Sequence, residues 1–283
     1  MKKSGIKLIA LDLDDTTLTS AGTLAAETRA AIERAIKEGI EIVVASGRAF
    51  KALPEEVINI PGINYAVTSN GAAVNRLPSG ERIKSYALPE KAVEEIMSIV
   101  EPYYEYVAVE AFIDGVPYSG RIHVEYPERF GCSKAYIGYI QSTRKPVEDI
   151  RGFIRENKGN IDSLDVACPD EEIRKKIRQN IISSVEGIHI TSSVKHLTEI
   201  INSSAGKDSG LKYICEIKGI SRDNTAAAGN ADNDIAMIKF AGIGAAVSNS
   251  SPACLEAADM VIGCSNDHSV AGFINDICDG KIK

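Results

Sequence analysis

The stretch Lys7 to Leu18, Lys-Leu-Ile-Ala-Leu-Asp-Leu-Asp-Asp-Thr-Thr-Leu, constrains the fold of this chain more than any other. Its short apolar run reads as a buried strand, which breaks at once into Asp12, Asp14 and Asp15. Clustered carboxylates beside a sheet interior repel one another and lose solvation, so this strand end calls for a positive partner, most simply a divalent cation. Asp12 and Asp14, two residues apart, point to the same side of a strand and can turn oxygens towards one hard cation. A solvated acidic turn with a helix cap is the plain structural alternative.

The chain that follows alternates strands and helices. Ala25 to Glu38 has helical spacing and Gly39 closes it, and Ile40 to Ala45 is a second apolar run ending in Ser46-Gly47-Arg48. Strand, helix, strand is the unit of a right-handed parallel sheet, whose strands all end on one edge, where ligands bind. A helix is predicted over Phe50 to Asn59 and a third strand over Tyr65 to Thr68, ending in Ser69-Asn70-Gly71-Ala72. From about Arg82 the pattern changes. A strand at Ile83 to Leu88, a helix at Pro89 to Val100 and a hairpin across Asp114-Gly115 open a region holding seven of the ten tyrosines between 103 and 139. Strands at Ile161 to Cys168 and Ile188 to Thr191 lie among helices at Pro146 to Glu156 and Asp170 to Ile181. We read 84–192 as an inserted α/β module, and 1–83 with 193–283 as the core. The last third returns to alternation, with a strand at His196 to Asn202, Lys207 and a helix at Leu211 to Ile217, then Thr225 to Ala228 ending in Gly229-Asn230-Ala231-Asp232-Asn233-Asp234.

Composition narrows the function. With 283 residues, 44% hydrophobic and 25% charged, the chain has the make-up of a globular protein with a sizeable core. A net charge of −7 argues against nucleic acid as a partner. Six scattered cysteines without C-x-x-C spacing argue against zinc or a disulfide framework, with Cys168, Cys215 and Cys278 expected as buried thiols. Met1-Lys2-Lys3-Ser4-Gly5 leaves no separate apolar leader before the first strand, and no apolar run is long enough to span a bilayer; a cytoplasmic protein, monomeric or a weak homodimer, is expected.

Taken in order, Asp-x-Asp-x-Thr at a strand end, Ser-Gly-Arg, an isolated Lys207 and Gly-x-x-x-Asn-Asp resemble the haloacid dehalogenase superfamily, and within it the Cof-type sugar-phosphate phosphatases. The resemblance spans the whole chain. It implies a Rossmann-like core with a mainly parallel sheet, an inserted α/β cap, and Mg²⁺-dependent hydrolysis of a small phosphorylated metabolite, a sugar phosphate being the expected class. It assigns Asp12 as the nucleophile that forms an aspartyl-phosphate and Asp14 as the acid and base. Ser46 and Lys207 complete the catalytic set, Gly47, Arg48, Asn70 and Asn233 bind substrate, and Asp12, Asp14, Asn230 and Asp234 hold the metal. Arg121, His123 and Arg144 are further candidates for a second anionic group of the substrate, and the tyrosines for packing or sugar stacking.

Two positions depart from the family. Asn230 stands where the family has a metal-ligating Asp, and brings a carbonyl oxygen without charge. Asp232 is a candidate to compensate. Asp208 stands where the family usually has Gly and could divert the charge of Lys207. The alternatives are a metal-impaired relative that binds a phosphorylated ligand without turnover, and a phosphomutase.

Overall fold

The computed structural model describes residues 5–282. In chain order its strands are β1 (Leu8–Leu11), β2 (Glu41–Ala45), β3 (Tyr65–Thr68), β4 (Ala73–Arg76), β5 (Glu81–Ser85), β6 (Ala108–Ile113), β7 (Val116–Gly120), β8 (Lys145–Val147), β9 (Ile161–Ala167), β10 (Ile188–Thr191), β11 (Leu197–Asn202), β12 (Thr225–Gly229), β13 (Ile243–Val247) and β14 (Met260–Ile262). They form an eight-stranded sheet, β14-β13-β12-β1-β2-β3-β4-β5, and a six-stranded sheet, β10-β11-β9-β6-β7-β8. The chain divides accordingly. One unit is made of the segment ending at Gly47, Leu53–Lys84 and the segment from Gly206; the other is Arg48–Ala52 with Ser85–Ala205.

In the first unit every pairing from β14 to β3 is parallel, and β3 turns back into β4 as an antiparallel hairpin. This is the α/β, mainly parallel architecture expected. All four residues of β1 are buried because helices cover both faces of a parallel sheet, which is why Leu-Ile-Ala-Leu does not alternate with polar residues. The helix Lys207–Lys218 lays Leu211, Ile214 and Cys215 on Leu8, Ala10, Val43, Ala45 and Val67. A fully buried leucine or isoleucine there contributes about 1.5–3 kcal/mol. Helices Ala26–Lys37 and Ser269–Cys278 pack together, joined by Arg34 to Asn275 and Asp279 at 2.9 and 2.7 Å. Parallel pairing puts the ends of β12, β1, β2 and β3 along one edge, so Asn230, Asp12, Ser46 and Ser69 follow one another across it.

In the second unit, helices Glu90–Val100 and Glu171–Ser184 bury Val93, Ile96, Met97, Ile177 and Ile181 on one face of the sheet, against Val109, Ala111, Leu164, Val166 and Ile200. The other face carries a cross-strand row, Thr191, Glu199, Asp165, Glu110 and Ser119, each directly opposite the next. All five are buried. Arg144 grips Glu110 with Nε and Nη2, both at 3.0 Å, and His123 Nδ1 lies 3.2 Å from the same carboxylate. Burial alone would raise the Glu110 carboxyl, but Arg144 and His123 outweigh it and hold it down at about 2. Burial and the carboxylates of Glu199 and Glu110 drive Asp165 the other way, well above its ordinary range.

Two expectations shift. β11 joins the six-stranded sheet and the second unit runs to Ala205, whereas the sequence placed the return to the core at 193. The predicted helix at Phe50 to Asn59 is two short turns, Phe50–Ala52 and Glu55–Ile58, on either side of Pro54. Cys168, Cys215 and Cys278 are buried free thiols, as expected. Met1 to Ser4 lie outside the described residues. Among those described, no helix is long and apolar enough to cross a membrane.

Candidate active site

The site grows from the end of β1. The ladder to β12 continues one residue past the strand, with the Asp12 amide donating to Ala228 O at 3.0 Å. The chain then winds through a tight turn at Leu13–Thr17, with Asp15 left-handed at φ 53°, and Thr17 Oγ1 donates back to the Asp12 carbonyl. Asp12 is thereby fixed at both backbone ends, with its side chain buried.

Lys207 meets it from the first turn of its helix. Nζ donates to Asp12 Oδ1 and to Asp234 Oδ1, each at 2.6 Å, and the lysine is 1% exposed. Burial disfavours the ammonium, but the two carboxylates overcome this and raise Lys207 above its usual range. Asp12 is pushed up to about 7, first by burial and then by Asp234, with Lys207 opposing and Asp14 adding a smaller push. The directions agree: one buried cation shared by two carboxylates leaves negative charge uncompensated. Asp12 Oδ2 is buried and has no hydrogen-bond partner. An oxygen left this way is expensive unless a ligand completes it.

The loop after β12 carries Asp234. Asp234 Oδ2 accepts from the amides of Asn230 and Ala231 at 3.0 and 3.1 Å. A Cβ on Gly229 would lie 2.5 Å from that of Asp234, so only glycine lets the carboxylate fold back so closely. Asp234, a metal ligand in the sequence reading, is held through Oδ1 by Lys207 and through Oδ2 by the loop. Asp232 is exposed on the same loop and accepts from Ser251 Oγ through Oδ1 at 2.7 Å. Asp208 pairs with Lys212 at 2.6 Å on its own helix and leaves Lys207 to the active centre.

Ser46 at the end of β2 is 1% exposed; its amide donates to Val67 O and its carbonyl accepts from the Asn70 amide at 3.2 Å. Ser69, Asn70 and Gly71 are three successive left-handed residues, at φ 50°, 53° and 91°. A Cβ on Gly71 would fall 1.9 Å from Gly206 O, so this loop presses on the residue just before Lys207. Asn233 Nδ2 donates to Asn70 Oδ1 at 2.9 Å, which ties the loop after β12 to the loop after β3. Asn233 Oδ1 is buried without a partner. The amide of Asn249 spans two more segments, donating to Asp15 O at 2.9 Å and accepting from the Ser265 amide at 3.1 Å. Sequence reasoning gave Asn249 no role; its place in Ala-Val-Ser-Asn-Ser, at the end of an apolar run, was the only available signal.

The structure thus brings Asp12, Lys207 and Asp234 together directly, with Asn230 on the same loop, and joins Asn70 to Asn233. Arg48 belongs to the second unit, donates to Ala52 O at 3.2 Å and lies 4.3 Å from the centre of the Tyr139 ring, which Arg144 approaches at 4.8 Å. Arg121 pairs with Glu148 at the exposed surface, while His123 and Arg144 both pair with buried Glu110. Tyr103, Tyr104 and Tyr118 pack against the apolar core of the second unit.

Among the described residues no three His, Cys, Asp or Glu side chains form a metal cage. Mg²⁺ rarely needs one; it takes one or two carboxylates, keeps several waters and draws on substrate phosphate. A buried, unpartnered Asp12 oxygen next to uncompensated negative charge fits such an ion.

A largely parallel, Rossmann-like sheet whose carboxyl edge holds a buried aspartate paired to lysine places the chain in a class of α/β phosphohydrolases. The profile of the haloacid dehalogenase-like hydrolases matches residues 9–274, and the chain belongs to that family, among its Cof-type phosphatases. It is 26% identical to 5-amino-6-(5-phospho-D-ribitylamino)uracil phosphatase YwtE of Bacillus subtilis, over 98% of this chain and 99% of that one. Phosphatase YwpJ of the same organism is 28% identical, over 94% and 98%. A haloacid dehalogenase-like hydrolase structure from B. subtilis superposes with a TM-score of 0.82 at 25% identity, over 95% of this chain and 99% of that one.

Proposed function

We propose that this protein is a Mg²⁺-dependent phosphatase that removes phosphate from a small phosphorylated metabolite, a sugar or polyol phosphate. The observation that carries the reading is Asp12: buried, fixed by Lys207 through one oxygen and unpartnered at the other. The phosphate monoester of a ribityl chain handled by one relative supports the substrate class.

In this reading the Asp12 carboxylate attacks phosphorus, the ester P–O bond breaks, and Asp14 gives its proton to the departing alkoxide. Asp14, now a carboxylate, takes a proton from water as that water attacks the aspartyl-phosphate. The acyl P–O bond breaks, inorganic phosphate leaves, and Asp12 is restored. Lys207 offsets charge on Asp12 and on the transferred group, while Ser46 and the Gly47 amide hold phosphate oxygens. Asp234 braces Lys207, and Asn70 with Asn233 holds two strand-end loops in register. Mg²⁺ would be held by Asp12, the Asp14 carbonyl and the Asn230 side chain, and would neutralise charge on the phosphate.

Hydrolysis of p-nitrophenyl phosphate with Mg²⁺, abolished by Asp12→Asn, is the expected result. No turnover over a broad panel of phosphorylated metabolites at any Mg²⁺ concentration would overturn it. Asn230 favours a second reading, a phospholigand binder without turnover, whose mark is stabilisation by phosphorylated compounds with no product formed.

A further inference from the structure

We infer that Asn230 makes Mg²⁺ binding conditional on phosphate, so that the free protein holds the ion weakly and ion and phosphate enter as a pair. The inference rests on the phosphatase reading and goes beyond it to the order and mutual dependence of the two ligands.

Asp12 Oδ1 is taken by Lys207, and both oxygens of Asp234 are taken, by Lys207 and by the Asn230 and Ala231 amides. Asp232, exposed on the loop, gives Oδ1 to Ser251, and Asp208 gives Oδ2 to Lys212 on its own helix. Between the two buried carboxylates, Asp12 and Asp234, the oxygen without a hydrogen-bond partner is Asp12 Oδ2. Asn230 lies beside it: β12 pairs with β1 up to Ala228 opposite Leu11, the Asp12 amide bonds Ala228 O, and Asn230 follows two residues later. Its backbone is fixed on both sides, its amide on Asp234 and its carbonyl accepting from the Ser251 amide at 2.8 Å. These two bonds tether the backbone that carries the Asn230 side chain. The side chain at this fixed place offers a carbonyl dipole and no charge.

Hard divalent cations are held by charged oxygens and surrender water reluctantly. A site with Asp12 and neutral oxygens lacks the charge to hold Mg²⁺ firmly, and a phosphate dianion supplies what is missing. Coupling of this kind is reciprocal: the factor by which phosphate tightens Mg²⁺ is the factor by which Mg²⁺ tightens phosphate.

The test is calorimetric titration of Mg²⁺ into the full chain, with and without saturating inorganic phosphate, for the unmodified protein and for Asn230→Asp. Phosphate should tighten Mg²⁺ in the unmodified protein by roughly tenfold or more, and the reverse titration should return the same factor. Asn230→Asp should bind Mg²⁺ tightly without phosphate and gain less from it. Equal Mg²⁺ affinity with and without phosphate in the unmodified protein overturns the inference whatever the variant does, so a variant that fails to fold leaves the test intact. Turnover of p-nitrophenyl phosphate in the same preparations separates the two claims. Turnover without coupling removes this inference and leaves the phosphatase reading standing; neither turnover nor Mg²⁺ binding with phosphate present removes both.

Discussion

Replacing Gly71 by alanine tests how Lys207 is positioned. Gly71 has φ +91°, and the added Cβ would lie 1.9 Å from Gly206 O, 2.2 Å from its carbonyl carbon and 2.7 Å from its amide nitrogen. None of these is the flexible end of a side chain, so the backbone must retreat by about 1.5 Å to reach ordinary van der Waals contact. Gly206 is bonded to Lys207, whose two hydrogen bonds of 2.6 Å do not survive a shift of that size. Two costs add: about 1–2 kcal/mol for a left-handed alanine, and about 3–5 kcal/mol for a broken buried ion pair. Gly22→Ala isolates the first, because Gly22 has φ +73° and nothing within 4 Å. In urea unfolding followed by circular dichroism, Gly22→Ala should lose about 1–2 kcal/mol and keep its activity. Gly71→Ala should lose at least about 4 kcal/mol, with p-nitrophenyl phosphate turnover reduced about 100-fold or more. If Gly71→Ala stays within about 1 kcal/mol of Gly22→Ala and retains full turnover, the loop at 69–71 does not set Lys207 and the reasoning fails.

Other perturbations separate the buried charges. Lys207→Met should abolish turnover and cost about 3–5 kcal/mol at pH 8 but less at pH 5, because Asp12, already raised to about 7, is relieved by protonation once the lysine is gone; equal losses at the two pH values would refute this. Glu110→Gln leaves Arg144 buried without its carboxylate and should destabilise the second unit by about 3–5 kcal/mol near neutral pH. Because the Glu110 pKa is depressed, its contribution is present above the ordinary 4.5 and is lost as pH falls towards about 2, so acid titration should narrow the gap between variant and parent. Asp165 is opposite in sign: its raised pKa favours the protonated folded state, and that contribution fades as pH rises from 3.8 through the folded value. Asp165→Asn should therefore gain on the parent between pH 5 and pH 8 in urea midpoints, and parallel pH profiles would contradict it.

Much of the first unit was legible because periodicity and strand ends carry their own signal. A buried four-residue strand broken by acid, and polar residues at the end of each later strand, were enough to line up Asp12, Ser46 and the loop at 230–234. Ordered motifs added Lys207, which no local pattern distinguishes from a surface lysine. What stayed hidden depends on contacts between distant residues. Leu197–Asn202 is an apolar run with nothing to say which of two sheets it joins. Asp234 looks in sequence like any acid in a metal loop, and only the approach of Lys207 reveals a brace. Arg48 directly follows Ser46 and Gly47 at the end of β2, yet stacks on Tyr139, far along the chain. The buried row Glu199, Asp165 and Glu110 breaks the rule that charged residues face water, and a single strand cannot announce the Arg144 that permits it.

The position of β1 sets a timetable for synthesis. It lies between β2 and β12, so one side of this first strand is satisfied early, while the other waits for Thr225–Gly229, after the whole second unit has been made. During translation β1 is a bare, wholly apolar edge, the kind of surface that recruits foreign strands. The same interval keeps Asp12 apart from Lys207 and Asp234, so the buried charge cluster is not assembled until the last quarter of the chain leaves the ribosome. Slowing elongation between residues 85 and 205 should lengthen that exposed interval and raise aggregation, whereas the same delay placed after Gly229 should not.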